Sequence, residues 1–163
     1  MDRIKEGIPG TILVCVDGES HTDKAIEWTL NIAKITGAEL TALHVRDTYL
    51  KQFYNEIYAQ GRREYLNHVD QETLKHSGMV FSLFHQKAEE KGVIYAKVIR
   101  MGDPMEEIIE ELEEKTYDLV VVGGKPLKGF LSFKSKNLPA RLAAKISNIS
   151  ILIIRSSDST PSC

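Results

Sequence analysis

Short apolar runs alternate with amphipathic stretches along most of the chain. Thr11–Val16 is almost continuously apolar, which is typical of a strand buried on both faces. Further apolar runs predict four more strands, at Leu40–Val45, Val93–Arg100, Leu119–Val122 and Ile151–Ile154. Because strands and helices alternate, we predict an α/β fold with a five-stranded parallel, doubly wound sheet and helices on both faces.

The stretches between the strands carry helix signals. Ser20, with Asp23 three residues later, resembles a weak capping box that opens the first helix, and Gly37 is placed to end that helix. Residues 47–91 are predicted to be mostly helical, with a break near Ser77-Gly78. Apolar residues at helical spacing predict the stripe of the first helix: Ala25, Trp28, Ile32 and Ile35.

Two later helices follow from similar signals. Asp103 can cap a helix that has Pro104 at its first position, and Glu106 would complete a capping box. A last helix is expected from about Pro139 to Ser147, immediately before the fifth strand.

Two strand ends carry residues that point to a binding site. The first strand ends in Val16-Asp17-Gly18 and the fourth in Gly123-Gly124. In doubly wound sheets ligands bind at the carboxyl ends of the strands, where the strand order reverses. We therefore predict the site where these two ends meet. The turn after the first strand lacks a G-x-G-x-x-G motif, and the chain has neither a P-loop nor a nucleophile elbow.

Composition narrows the function classes further. The chain has 163 residues, a formal net charge of −2 and two cysteines. The length predicts a single domain over residues 1–163, with loose ends expected at 1–9 and 156–163, and the two scattered cysteines favour a cytoplasmic location. The longest apolar run, Ile12–Val16, is too short for a membrane span, and the first ten residues lack the apolar core of a signal peptide. The small net charge argues against a nucleic-acid partner. No metal cluster or catalytic constellation is visible, and His44 is expected to be a hydrogen-bonded core histidine.

The ordered set of residues resembles the universal stress protein family. The first half of the resemblance runs from Ile12 through Asp17-Gly18 to Val45, and the second from Gly102-Asp103-Pro104 to Gly123. This resemblance covers nearly the whole chain. It implies a strand order of 3-2-1-4-5, a homodimer and, in one branch of the family, binding of ATP or a related adenine nucleotide.

The resemblance also implies which residues would hold the nucleotide. Asp17, which follows Cys15 and Val16, would contact the adenine, and the backbone at Val45 would frame the base. The phosphates would lie on the loop that begins at Gly123-Gly124 and ends at the last helix. The family's G-x-x-G and G-[S/T] elements are degraded here, because Pro126 replaces the second glycine and the last pair falls on Asn137-Leu138.

Lysines offer a replacement for the lost backbone contacts. Lys125 and Lys128 lie in this loop, and charge compensation would let them hold the phosphates, while Asn137 can cap the last helix. The alternative is a solvated basic loop that balances the acidic helix at residues 103–118.

Three functions remain open at this level. The first is a regulatory stress-type homodimer that binds an adenine nucleotide without efficient turnover and pairs through its apolar edge strand, Ile151–Ile154. The second is an interaction module of the non-nucleotide branch, with an unidentified protein partner. The third is a slow ATP hydrolase. The loss of the second glycine and of the G-[S/T] pair separates the first function from the second.

Overall fold

The fold is described here from a computed structural model, over residues 7–18, 22–47, 62–124 and 137–156. The five predicted strands are present as β1 to β5, and they form one sheet in the order β3-β2-β1-β4-β5 with every pair parallel. The predicted fold class and strand order are confirmed. The strand bounds are Thr11–Cys15, Glu39–Asp47, Tyr95–Gly102, Leu119–Gly124 and Ser150–Arg155.

Helices cover both faces of the sheet. Within the described ranges the α-helices are α1 to α4, at Asp23–Thr36, Arg62–Lys91, Pro104–Glu114 and Leu138–Lys145. Side chains alternate across β1, so Ile12 and Val14 pack with α1 and α2 on one face, whereas Leu13 packs with α3 and α4 on the other. No helix in these ranges is long and apolar enough to cross a membrane.

Helix ends follow the predicted signals at two positions. Gly37 adopts the left-handed conformation (φ 68°), and its N–H donates to the carbonyl of Ala33, which ends α1. The Asp103 carboxylate accepts hydrogen bonds from the N–H groups of Met105 and Glu106, with Pro104 at the first helical position of α3. Both ends therefore satisfy backbone groups that would otherwise lack a partner.

The structure corrects the predicted start of α1. The helix begins at Asp23, and Thr22 precedes it without a side-chain capping bond, so Asp23 is the first helical residue rather than the third. Ser20 lies outside the described residues. The predicted apolar stripe is also only partly buried: Ala25 is fully buried, but Trp28 is 48% exposed and Ile35 is 84% exposed.

The predicted break near Ser77-Gly78 is wrong, because α2 continues through both residues. The Ser77 hydroxyl donates to the carbonyl of Thr73, one turn back, and the side chain is buried within the helix packing. Gly78 is exposed, and a Cβ at that position would meet no atom within 4 Å. The α-helical backbone therefore accommodates both residues.

A cluster of ion pairs ties β3 to α3. The Arg100 guanidinium lies within 3.1 Å of carboxylate oxygens of four α3 residues: Glu107, Glu110, Glu111 and Glu114. Glu111 is 1% exposed, and it also accepts from the Lys115 ammonium (2.9 Å) and the Tyr117 hydroxyl (2.7 Å). Carboxylates of the acidic helix are thus partnered by Arg100, a residue that the sequence analysis did not single out.

Candidate functional site

The carboxyl ends of β1 and β4 lie side by side. Val14 pairs with Val121 across these strands, so Cys15, Val16 and Asp17 continue β1 beside the end of β4. β4 extends through Gly123 and Gly124, two residues further than predicted. β1 pairs with β2 on one side and with β4 on the other, so the strand order reverses between β1 and β4.

Val45 reaches the same edge from β2. Cys15 pairs with Leu43, and the Val16 N–H donates to the Leu43 carbonyl at 2.8 Å. Val45 follows two residues later and is half-buried against the face that α3 and α4 cover. The structure therefore brings Cys15, Val16, Asp17, Val45, Gly123 and Gly124 to one edge of the sheet.

The start of α4 belongs to the same edge by topology, since α4 follows β4 along the chain and packs against it. The Asn137 side chain accepts from the Ala140 N–H at 3.3 Å, so Asn137 caps α4 as predicted. Leu138 is the first helical residue, one position earlier than expected. Lys125 and Lys128, the predicted phosphate contacts, lie outside the described residues.

Two histidines hold the end of β1. The His44 Nδ1–H donates to the Val16 carbonyl at 2.7 Å, and the His76 Nε2–H donates to the Asp17 carbonyl at 3.0 Å. The two rings lie 5.8 Å apart, measured between centroids. His44 is 4% exposed, so the predicted hydrogen-bonded core histidine is confirmed.

His76 was missed as a contact of this edge. It sits on α2, 59 residues after Asp17, and nothing in local sequence joins the two. The available signal was weak: a histidine within residues 47–91, the long stretch that the sequence predicts to be mostly helical. Only the packing of α2 on the sheet identifies its partner.

Burial sets the protonation states of two groups here. Burial lowers the pKa of His44, and nearby His76 and Arg46 add to the effect, while the bond to Val16 and the charge of Asp17 oppose it. His44 is therefore a neutral donor at physiological pH. Burial, followed by the negative charges of Asp17 and Glu111, raises the pKa of the Cys15 thiol to about 12.

The arrangement offers binding chemistry. Asp17 is exposed and supplies a carboxylate acceptor, β4 ends in two glycines, and a helix with a capped amino end follows. A ligand that donates a hydrogen bond at one end and carries negative charge at the other would match the Asp17 carboxylate and the amino end of the helix. Among the described residues no group of three or more His, Cys, Asp and Glu side chains could hold a metal ion.

The fold and this edge define a doubly wound α/β protein with its candidate site at the β1/β4 switch point. A model of the Universal stress protein family matches residues 10–155. The chain belongs to this family. It is 26% identical to universal stress protein YxiE of Bacillus subtilis over 145 residues, which cover 88% of this chain and 97% of that protein. It is 32% identical to universal stress protein MJ0531 of Methanocaldococcus jannaschii over 122 residues, 74% of this chain and 68% of that protein.

Solved structures share the fold at low identity. One is an Arabidopsis thaliana universal stress protein family member with AMP bound, with a TM-score of 0.58, 24% identity, and coverage of 93% of this chain and 96% of that one. Another is the Archaeoglobus fulgidus universal stress protein in complex with dAMP, with a TM-score of 0.60, 14% identity, and coverage of 90% and 98%. A third is a universal stress protein in complex with cAMP, with a TM-score of 0.59, 18% identity, and coverage of 92% and 99%.

Proposed function

We propose that this chain is a regulatory universal stress protein that binds an adenine nucleotide at the carboxyl ends of β1 and β4. The observation that carries the proposal is that Asp17 lies beside the glycine end of β4 at the switch point of the sheet. A carboxylate there can accept a hydrogen bond from the amino group of adenine. Complexes of AMP, dAMP and cAMP with proteins of the same fold support this ligand class.

Within this proposal the base lies between Asp17 and the backbone at Val45, close to Cys15 and Val16. The phosphates extend from Gly123-Gly124 toward Asn137 and Leu138, whose helix presents its positive end. Lys125 and Lys128 supply positive charge in place of the backbone contacts that are lost with the family's glycines. Because this charge would compensate that of the phosphates, ATP is the proposed nucleotide. The protein acts in the cytoplasm, as a homodimer through β5, and by binding rather than by turnover.

One calorimetric experiment tests the nucleotide site. We expect Asp17→Ala to weaken adenosine and ATP binding alike, by about 1–3 kcal/mol, because the base loses a charged acceptor. The double change Lys125→Gln with Lys128→Gln should weaken ATP but leave adenosine unchanged. Glu39→Ala is the matched control. Glu39 is an exposed carboxylate at the start of β2, so it lies at the end of the sheet opposite to the proposed site.

The same titrations separate the competing functions. If Asp17→Ala binds adenosine as tightly as the wild type, Asp17 is a turn residue and the proposed base contact is wrong. If neither ligand binds the wild type at millimolar concentration, the chain is an interaction module without a nucleotide. ADP that accumulates in the ATP sample would instead indicate a slow hydrolase.

A further inference from the structure

Two side-chain hydrogen bonds end on consecutive carbonyls around Asp17. The Val16 carbonyl belongs to the peptide plane before the Asp17 Cα, and the Asp17 carbonyl belongs to the plane after it. His44 of β2 holds the first at 2.7 Å, and His76 of α2 holds the second at 3.0 Å. Since the two planes set φ and ψ of Asp17, together they fix the direction of its Cα–Cβ bond.

The next residue is packed against α2 as well. Gly18 has φ 81°, and a Cβ placed on it would lie 2.6 Å from Val80 Cγ2 and 3.1 Å from His76 Cε1. The turn that follows β1 therefore touches α2 closely, at a position that suits glycine by both conformation and space. His76 and Val80 lie one turn apart on α2, so they form one contact surface for Asp17 and Gly18.

We propose that His76 is a positioning residue that couples α2 to the nucleotide site. Its Nε2–H fixes the peptide plane after Asp17 and so presents the Asp17 carboxylate to the base. The inference rests on the proposed function, because it concerns the same site, but it adds a residue and an element that lie outside the strand ends.

The coupling runs in both directions. A ligand that needs the fixed orientation of Asp17 stabilises the His76 bond by the same free energy that the bond adds to ligand binding. Occupancy of the site should therefore tighten the attachment of α2 near His76 and Val80. α2 is 30 residues long, so at about 1.5 Å per residue it spans roughly 45 Å, and His76 and Val80 lie in its second half.

The test compares three variants at one pH in the full-length protein. His76→Leu removes the donor, whereas His76→Gln keeps an N–H near the position of Nε2. His85→Leu is the matched control, since His85 lies on the same helix but contacts Tyr95 (3.4 Å) instead of β1. The readouts are adenosine affinity by calorimetry and the amide resonance of Gly18, whose nitrogen shares a peptide group with the Asp17 carbonyl.

We expect His76→Leu to weaken adenosine about three- to tenfold, the range for one neutral hydrogen bond, and to shift the Gly18 amide. His76→Gln should restore adenosine affinity to within about twofold of the wild type and reverse most of the Gly18 shift, and His85→Leu should change neither. In the wild type, adenosine should slow hydrogen exchange of α2 amides around residues 76–80. His76→Ala replaces the leucine variant if the latter does not fold.

Unchanged affinity in His76→Leu, or a loss that His76→Gln does not restore, would overturn the proposal. If the wild type binds no adenosine, the proposed function fails, but the Gly18 resonance still decides the structural step. A shift in His76→Leu that is absent in His76→Gln and His85→Leu would then support the positioning of Asp17. No shift would refute it.

Discussion

At the scale of single residues, the end of β1 combines groups that sequence reasoning could and could not find. Asp17 stands out because it directly follows a buried apolar run, and His44 because it interrupts one. The bond from His44 to the Val16 carbonyl was not predictable, and neither was the bond from His76 to the Asp17 carbonyl, because both depend on how β2 and α2 pack beside β1. Lys125 and Lys128 stay predictions.

Cys15 provides a prediction at this scale. Burial and two nearby carboxylates raise the pKa of its thiol to about 12, so at pH 8 the thiol is almost entirely un-ionised. We expect iodoacetamide to leave Cys15 unmodified in the folded protein and to alkylate it in guanidinium, as measured by peptide mass spectrometry. Rapid labelling of the folded protein at pH 8 would contradict this.

At the scale of helices and strands, the sequence predicted which elements occur better than it predicted where each one begins and ends. All five strands were found within two residues at either end, most easily β1 and β4, which are nearly continuous apolar runs with few competing interpretations. The sequence wrongly predicted a break in α2, because Ser77 and Gly78 are poor helix formers by propensity. In the structure tertiary packing outweighs that preference. Asp103 and Gly37 marked helix ends correctly because their signals are local.

The Arg100 cluster was not predictable, because one cation on β3 reaches four carboxylates that a helical pattern alone assigns to a solvated face. We expect Arg100→Leu to reduce the free energy of unfolding by about 2–4 kcal/mol at pH 7, because buried Glu111 loses a cation but keeps Lys115 and Tyr117. Urea denaturation measures the change. Glu110→Ala is the control: its side chain is 57% exposed, so a loss below about 1 kcal/mol is expected.

The same cluster predicts a pH dependence. Burial alone would raise the pKa of Glu111, but its bonds to Lys115, Tyr117 and Arg100 outweigh that and hold the pKa below its ordinary value of 4.5. A carboxyl with a lowered folded-state pKa stabilises the fold above 4.5 and loses that contribution as pH falls toward the folded-state value. The stability gap between the wild type and Arg100→Leu should therefore shrink below pH 4.5. A gap that stays constant from pH 7 to pH 3 would exclude this role for Glu111.

At the scale of the whole molecule, the topology followed from alternation and from handedness, and the family resemblance supplied the strand order. The two sheet edges that result differ in character. The β3 edge carries exposed Lys97, whose ammonium lies 4.6 Å from the Phe81 ring. Lysines on an edge strand commonly prevent it from pairing with a strand of another chain. The β5 edge instead presents half-buried Ile151, Leu152 and Ile153.

Helix α1 adds apolar surface beside β5. On the side of α1 that faces α2, Glu27 forms ion pairs with Lys87 and Lys91. Exposed Trp28 and Ile35 lie together on the other side of α1. Since α1 packs over β4 and β5, that other side faces the β5 edge. An apolar edge strand beside an exposed tryptophan is a surface that proteins commonly cover with a partner.

The proposed partner is a second copy of the chain, related by a two-fold axis perpendicular to β5. In such an interface each substitution occurs twice and meets its own copy or a neighbour of it, so one added charge per chain creates mutual repulsion. We expect the wild type to sediment as a dimer at micromolar concentration, and Ile151→Lys and Trp28→Glu each to shift it toward monomer with unchanged circular dichroism. Ile94→Lys is the control, because Ile94 is 92% exposed immediately before β3, at the opposite edge. A wild type that sediments as a monomer, or a dimer that both variants retain, would remove β5 as the interface.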